Sequence, residues 1–334
     1  MSPIDVGGLL EELESDRRDR GGISTISLNV VAFVENDEAL LHWLAESSDE
    51  FAEAHGFRII VLDASSQPVT HSVRTHYKEC NDTLMTSLEQ VQLGVKGISA
   101  NELRSVVHDL LHPNVRNVLL WGGEHLSDER FSALADFSQR VIIASSRRTS
   151  GLQALREVVQ LADTHVVERV RDTSYMRLLP WQDLIAQFFD EPDLAEELPN
   201  LSRISVASGS EAEAYYLAAW LAGRLGWNPC GHLQFCDASG RPVRVDFRKK
   251  GDPRRIRGIE LQAAQCTFGI SVSPDADDLI CLTVNGRKQR PVHCVPLHDV
   301  DIVSLVERAI FSPDDGGVYL ETLGVLRKLL EFSA

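Results

Sequence analysis

From Ile23 to about residue 163 the chain alternates strand-length apolar runs with amphipathic helices, and nothing else in it limits the fold so tightly. The first run is Ser27-Leu28-Asn29-Val30-Val31-Ala32-Phe33-Val34, rich in β-branched residues. A helix is expected over about Asp37 to His55, where Leu40, Leu41, Trp43, Leu44, Phe51 and Ala52 recur at intervals of three and four. Gly56 stands at the position that ends such a helix, and Arg58-Ile59-Ile60-Val61-Leu62 is a second apolar run. Further strands are expected at Leu88 to Val95, Val115 to Trp121 and Arg140 to Ala144. Helices are expected at Asn101 to Leu111, after Ser127, and from Gly151 to Ala162. Strands without polar alternation, separated by helices, build a parallel sheet covered on both faces. Residues 64–86 are polar and read as irregular.

The second half changes grammar. Pro180 suits the first turn of a helix running from Trp181 to Phe189. A strand at Ile204 to Ala207 and a helix at Glu211 to Leu225 follow. Short strands then succeed one another (231–237, 241–248, 256–262, 265–273, 278–285 and 291–296) before two closing helices, about 298–311 and 315–332. Consecutive short strands joined by tight turns predict an antiparallel meander. The fold class is therefore α/β: a parallel, doubly wound-like N-terminal domain, then an α+β domain with an antiparallel sheet. The expected divisions are a helix and linker over 1–22, the α/β domain over 23–165, a connecting helical segment over 166–200 and the α+β domain over 201–334. With 334 residues the chain has the length of about two domains.

Charge narrows the partners. The net charge is −16, which disfavours phosphate backbones and anionic membranes as general ligands. Yet residues 241–257 hold eight basic and two acidic side chains, a local +6 that leaves −22 on the rest. Alternation places Val243, Val245 and Phe247 inward and Arg244, Asp246 and Arg248 outward, which predicts a hairpin with a charged outer face. That face serves as a solvated edge or as a docking stripe, with Arg244, Arg248, Lys249, Arg254 and Arg255 as the contact candidates. Met1 to Gly22 carries Glu11, Glu12, Glu14 and Asp16 and no signal-type apolar stretch, so a cytoplasmic location is expected.

Common catalytic signatures are missing. The sequence has no G-x-G-x-x-G, no G-x-x-x-x-G-K-[ST], no H-E-x-x-H, no G-x-S-x-G and no C-x-x-C. No cofactor, metal or catalytic residue is assigned. Ligands of open α/β sheets bind at the carboxyl ends of the strands, which lead here into Asp63-Ala64-Ser65-Ser66, Gly122-Gly123-Glu124-His125 and the stretch from Ser145 to Gly151. Ser145, Ser146, Arg147 and Arg148 combine hydroxyls and guanidinium groups beside a helix start and are candidates for holding a phosphate or carboxylate. Short polar turns in this fold have the same composition without any ligand.

Of 6 cysteines, Cys80 stands alone and Cys230, Cys236, Cys266, Cys281 and Cys294 crowd the last third. In a reducing compartment the plain expectation is buried thiols. Cys230, His232, Gln234 and Cys236 would share one face of an extended strand, so Cys230, Cys236 and Cys294 are redox candidates; with His293 or His298 they could also supply zinc ligands. His108 and His112 are spaced i, i+4 on a predicted helix, where a metal pair competes with a simple helix-end histidine.

Three stretches together resemble a known family: the opening strand–helix–strand ending in Gly56-Phe57-Arg58-Ile59-Ile60-Val61-Leu62, the segment Arg177-Leu178-Leu179-Pro180-Trp181, and Ala218-Ala219-Trp220-Leu221-Ala222-Gly223-Arg224-Leu225-Gly226-Trp227. Their order and spacing are similar to the OpcA family, glucose-6-phosphate dehydrogenase assembly proteins of bacteria, over about residues 24–300. Asp172-Thr173-Ser174-Tyr175 departs from the family's usual Asp-Leu-x-Trp, and Ala144 stands where an Asp is common. The resemblance implies a non-enzymatic partner that binds glucose-6-phosphate dehydrogenase and assists its assembly or raises its activity; Pro180, Trp181 and Trp220 are read as packing residues, because large aromatics at helical spacing usually face a core. The competing expectation is an enzyme or sensor that binds a sugar phosphate through Ser145, Ser146, Arg147 and Arg148.

Overall fold

The computed structural model describes residues 4–20, 23–46, 56–68, 70–79, 84–161, 164, 166–249, 256–277, 279–296, 302–311 and 317–333. They fall into two compact units, Met1–Ile143 with Arg169–Arg171, and Ala144–Glu168 with Asp172–Ala334.

The first unit opens with α1 (Val6–Arg20) and β1 (Ile23–Thr25). It continues through β2 (Leu28–Val34), α2 (Glu38–Glu46), β3 (Phe57–Asp63), β4 (His71–Glu79) and β5 (Leu84–Gly94). Next come α3 (Ala100–Leu110), β6 (Arg116–Gly122), α4 (Glu129–Ala135) and β7 (Arg140–Ile143). The sheet order is β1-β5-β3-β2-β6-β7-β8, where β8 is Val170–Asp172 and β4 pairs with β5. Neighbours β5-β3-β2-β6-β7 are parallel, and β4 runs antiparallel to β5. The central strands β2 and β3 are buried along their whole length, as their mostly apolar sequences require, and the buried Arg58 of β3 donates to Glu89 Oε2 and to the Leu110 carbonyl at 2.8 Å each. Each apolar side chain of these strands contributes roughly 1.5–3 kcal/mol by burial. The one polar residue of β2, Asn29, is fully buried and satisfied: its amide donates to the His112 carbonyl and to Asn117 Oδ1 at 2.9 and 2.8 Å and accepts from His112 N at 3.0 Å. Reading outward from β2, the order of β5-β3-β2-β6-β7-β8 is that of the doubly wound dinucleotide fold, and the order reverses between β2 and β6.

Two strands of this unit, β1 and β4, lie in or beside stretches that the sequence marks as irregular. β4 reads His-Ser-Val-Arg-Thr-His-Tyr-Lys-Glu, with too few apolar residues to declare itself; its backbone pairs with β5 along its whole length. The helix expected as far as His55 is described only to Glu46, and Cys80 lies outside the described residues.

The second unit contains α5 (Gly151–Leu161), α6 (Thr173–Met176), α7 (Leu179–Phe188), α8 (Pro192–Ala195), β9 (Arg203–Ser208) and α9 (Glu211–Leu225). Strands β10 (Asn228–Gly231), β11 (Gln234–Cys236), β12 (Pro242–Lys249), β13 (Ile256–Gln262), β14 (Cys266–Val272), β15 (Leu279–Gly286) and β16 (Arg290–Pro296) follow, then α10 (Ile302–Phe311) and α11 (Val318–Glu331). The eight strands form one sheet in the order β10-β11-β12-β9-β13-β14-β15-β16. All pairs are antiparallel except β9–β12. The helix α9 joins β9 to the second half of the sheet, and Gly226 closes it at φ 67°, a conformation glycine adopts without strain. Helix α9 packs on β9 and β12, α11 on α9 and β10, α7 on β14, and α5 on α9 and α11. Inward residues such as Ile204, Val206, Val243, Val245, Leu261 and Phe268 are buried beneath them.

This order corrects one expectation. Strands β12 and β13 are not the two arms of a hairpin, because β9 lies between them and pairs with both. The crossover through α9 delivers β12 parallel to β9, a long-range choice that local alternation cannot register.

Candidate functional site

In a doubly wound sheet the ligand crevice lies beyond the carboxyl ends of the strands where their order reverses. Here that means the ends of β2 and β6. After Val34 the chain turns through Glu35-Asn36-Asp37, with Asn36 at φ 52°. A dinucleotide turn at this place uses glycines so that the backbone can approach a pyrophosphate, and leaves the first helical N–H groups open. This turn is instead acidic and capped. Asp37 Oδ1 accepts from Leu40 N at 2.9 Å, and Glu35 Oε2 accepts from Glu124 N at 3.2 Å.

Across the crevice, Asp128 caps α4 by accepting from Arg130 N at 2.8 Å. The Arg130 side chain folds back onto Asp128 with contacts of 2.5–3.0 Å, reaches Glu35 at 3.7 Å, and lies 4.8 Å from the Phe33 ring centroid. Burial pushes the Asp128 carboxyl up, but hydrogen bonds from Arg130 outweigh it and hold the group below its ordinary value. Arg130 is raised, first by its bond to Asp128. At the end of β3, Asp63 accepts from Ser65 N at 2.9 Å and from the Ser65 and Ser66 hydroxyls at 2.5 Å each. Burial raises its carboxyl, and the serine bonds outweigh that and leave it lowered. The strand ends thus carry the chain's own carboxylates, of which Asp128 and Glu35 are paired with Arg130. Their chemistry opposes an incoming phosphate.

The predicted anion residues belong to the second unit, where Ser145–Arg147 form a short 3₁₀ turn. Ser145 N donates to Asp172 Oδ1 at 3.2 Å and Ser146 N donates to Ser174 Oγ at 2.8 Å. Arg147 N and Arg148 N bond to the carbonyls of Ala144 and Ser145. The Arg148 side chain is 5% exposed and stands 3.6 Å from Glu157. The structure therefore brings the two serines together on Asp172 and Ser174 and turns Arg148 toward a carboxylate.

Asp172, noted in the sequence only for its place in the family pattern, organises a polar core. Its Oδ1 also accepts from Ser174 N at 2.9 Å, and its Oδ2 from the Tyr216 hydroxyl at 2.9 Å. Burial drives the Tyr216 hydroxyl well above its ordinary value. Nearby, Arg177 donates to Glu213 Oε1 at 2.8 Å and Ser208 Oγ donates to Oε2 at 3.3 Å. The signal available in the sequence was Asp172 two residues before Ser174, the spacing of a helix cap.

Arg244, Arg248 and Lys249 are exposed on β12; Arg254 and Arg255 lie outside the described residues. The cysteines depart from the buried-thiol expectation. Cys230 is bridged to Cys236 and Cys281 to Cys294, and Cys266 is free and buried. Cys230 and Cys236 do not lie on one extended strand: they are on the two arms of the β10–β11 hairpin, where Cys236 pairs with Asn228 and Cys230 sits at a register shift, and the turn passes through Leu233 at φ 47°. Cys281 and Cys294 are direct cross-strand partners of β15 and β16. His108 stands 3.6 Å from Asp109 on the surface, and the His112 ring is pushed down by burial and then by Arg58. Among the described residues no three histidine, cysteine or carboxylate side chains gather as metal ligands. No described helix is long and apolar enough to cross a membrane.

Comparison with solved structures shows a similar fold in other proteins. KijD10, a 3-ketoreductase from Actinomadura kijaniata in complex with NADP, superposes with a TM-score of 0.53 at 10% identity, over 91% of this chain and 96% of that one. The open form of the same protein gives 0.52 at 11%, over 92% and 96%. Sequence comparison then fixes the family. Residues 48–160 match the glucose-6-phosphate dehydrogenase subunit N-terminal domain and residues 168–323 match its C-terminal domain. The chain belongs to the OpcA glucose-6-phosphate dehydrogenase assembly family. Relatives bearing the name OxPP cycle protein OpcA include one from Synechocystis sp., 23% identical over 219 residues (60% of this chain, 46% of the relative). Another, from Synechococcus elongatus, is 26% identical over 216 residues (59% and 47%). The chain spans about half the length of these curated relatives.

Proposed function

We propose that this chain is a non-catalytic partner of glucose-6-phosphate dehydrogenase that promotes its assembly or allosteric activation in the cytoplasm, supporting the oxidative pentose phosphate pathway. The observation that carries the reading is the turn after β2. A strand order made for dinucleotides bears Glu35-Asn36-Asp37 where a pyrophosphate needs glycine and free N–H groups. A chain built this way keeps the frame of an oxidoreductase and opposes its cofactor. The family's domain descriptions, which name the dehydrogenase itself, point to the partner. An activator works by binding the active state of its target more tightly than the inactive one. A coupling of about 1–3 kcal/mol changes affinity by roughly 5- to 150-fold.

The sugar-phosphate reading gains no observation of its own, since the backbone donors of Ser145 and Ser146 are spent on Asp172 and Ser174. The test combines two measurements. Initial rates and size-exclusion profiles of the cognate dehydrogenase are taken with and without this protein. Thermal midpoints of this protein alone are taken with NADP or glucose 6-phosphate. The expected result is a complex with altered rates and no midpoint shift. Unaltered rates without a complex, or a ligand-dependent rise of the midpoint, would overturn the proposal.

A further inference from the structure

We infer that the face of the second unit's sheet opposite α9 is the docking surface, and that its occupant is a protein surface bearing carboxylates; the inference rests on the partner role proposed above. Alternation assigns this face without ambiguity. Ile204, Val206 and Ser208 of β9 are buried on the helix side, so Arg203, Ser205 and Ala207 point to the other. Register then carries the assignment across the sheet. Ala207 pairs with Gly258, Gly258 with Ser271 and Ser271 with Cys281, giving a row of small side chains four strands wide. The next row repeats the theme on β14 and β15, where Gly269 pairs with Thr283. A sheet face floored by such residues is flat and presents backbone closely. At about 4.8 Å per strand and about 3.3 Å per residue, the six strands of six to eight residues offer roughly 24 by 20 Å, extended at one edge by the shorter β10 and β11. That is more than half of the roughly 800 Å² per partner of a stable protein interface.

Charge selects the occupant. On β12 the same face carries Arg244 and Arg248, both exposed, with Arg248 in register beside Ala207 at the end of the small row. Arg203 pairs with Asp246 at 3.3 Å, whereas Arg244 and Arg248 have no ion-pair partner among the described residues. On β9, β12 and β13 this face sets Arg203, Arg244 and Arg248 against Asp246 and Glu260, a local excess of positive charge in a chain of net −16 that attracts carboxylates. A second copy is the poorer occupant, because two bodies of that charge repel. A further orphan lies on this face: Ser205 is 6% exposed and its hydroxyl has no partner among the described residues, between Asp246 and Glu260 in register.

The experiment measures binding of the full chain to the dehydrogenase at two salt concentrations. Compared with wild type are Arg244→Glu/Arg248→Glu, Ser271→Arg, and an equal-charge control away from this face, Arg116→Glu/Arg308→Glu. Circular dichroism and thermal midpoints check folding, and Arg244→Ala/Arg248→Ala replaces the charge reversal if that variant does not fold. The expected result is at least tenfold weaker binding for both face variants, a flatter salt dependence for the arginine pair, and a control like wild type. Wild-type binding by the face variants overturns the assignment and leaves the partner role standing. Equal weakening by the control also overturns it, as a general charge effect. Failure of the wild-type chain to bind or alter rates removes both.

Discussion

Replacing Arg177 with methionine isolates the energetics of the buried polar core, and it does so in the segment that carries the family resemblance. The Glu213 side chain is wholly inaccessible, while Arg177 retains 17% exposure. Arg177 supplies the only cation within ion-pair distance of Glu213 among the described residues; the other contact is Ser208 at 3.3 Å. Even with this partner, burial outweighs Arg177 and the Glu213 carboxyl stays raised. Methionine keeps the length of the stem and removes the charge. The carboxylate then has one long hydroxyl bond and no counter-ion, and a buried uncompensated charge costs about 3–5 kcal/mol.

The pH dependence follows from the direction of the shift. A carboxyl raised in the folded state binds its proton more tightly there than in the unfolded chain. Stability therefore falls as pH rises from the unfolded value toward the folded one, and the loss is complete above the latter. In Arg177→Met the carboxyl rises further, so the penalty is largest near neutrality and shrinks toward the unfolded value of 4.5. The assay is urea unfolding at about pH 5 and about pH 8 of wild type, Arg177→Met, Glu213→Leu and the double variant. The double variant has no charge left to bury and should fall within about 1 kcal/mol of wild type or above it. A cost for Arg177→Met that is the same at both pH values, or a double variant as damaged as the single, would refute the reasoning.

Two further outcomes are measurable by the same method. The Cys281–Cys294 bridge closes a separation of 13 residues and Cys230–Cys236 one of 6, so serine pairs should cost about 3 and about 2 kcal/mol by loop entropy; dithiol-treated wild type that unfolds at an unchanged midpoint would deny both bridges a structural role. Gly122→Ala should cost about 1–3 kcal/mol, since the added carbon would meet the Phe33 carbonyl at 2.8 Å and Leu40 Cδ2 at 2.9 Å; a loss below about 0.5 kcal/mol would show that this wall of the crevice yields.

How much of this was legible in the sequence divides by range. The buried strands β2, β3 and β6 and the helix α9 declare themselves because their periodicity is a local property of burial. Strand β4 does not, because its pairing with β5 is satisfied by backbone whatever its side chains are. The placement of β9 between β12 and β13 is a topological fact with no local trace, and it turns a predicted hairpin into the middle of a sheet. The cysteines show the same limit: the even spacing of Cys230 and Cys236 suggested one strand face, whereas a hairpin separates them, and only register puts Cys281 opposite Cys294. For the candidate sites, the strand-end crevice was located from topology, but its acidic capping was not. Whether Asp37 and Asp128 cap helices or face a ligand depends on hydrogen bonds that the residue types permit without dictating. Asp172 stayed hidden for a similar reason, since an acid before a short helix is common and its bond to Tyr216 spans 44 residues.

The same hydrogen bonds set the order in which acid should dismantle the protein. In the first unit Asp63 and Asp128 are held below their ordinary values; burial opposes this and is outweighed by bonds from Ser65 and Ser66, and from Arg130. A depressed carboxyl contributes stability that is present above its unfolded value of 3.8 and is lost as pH falls through the folded one. Charge-assisted bonds of this kind contribute about 1.5–3 kcal/mol, and these two anchor the ends of β3 and α4 at the crevice. In the second unit Glu213 acts in the opposite sense, because its raised carboxyl gains its proton on the way down and the folded state is favoured. Asp193 and Asp237 of that unit are also lowered, Asp193 first by Arg290 and Asp237 first by Ser239, but both lie at the surface, where water and salt screen what their bonds contribute. Hydrogen exchange followed by mass spectrometry from about pH 5 downward should therefore show β3 and α4 losing protection before α9 and β9. Asp63→Asn should bring that loss to higher pH, and Glu213→Gln should leave it where it is. Loss of protection in α9 ahead of β3, or an Asp63→Asn profile identical to wild type, would show that these carboxylates do not govern the acid limb.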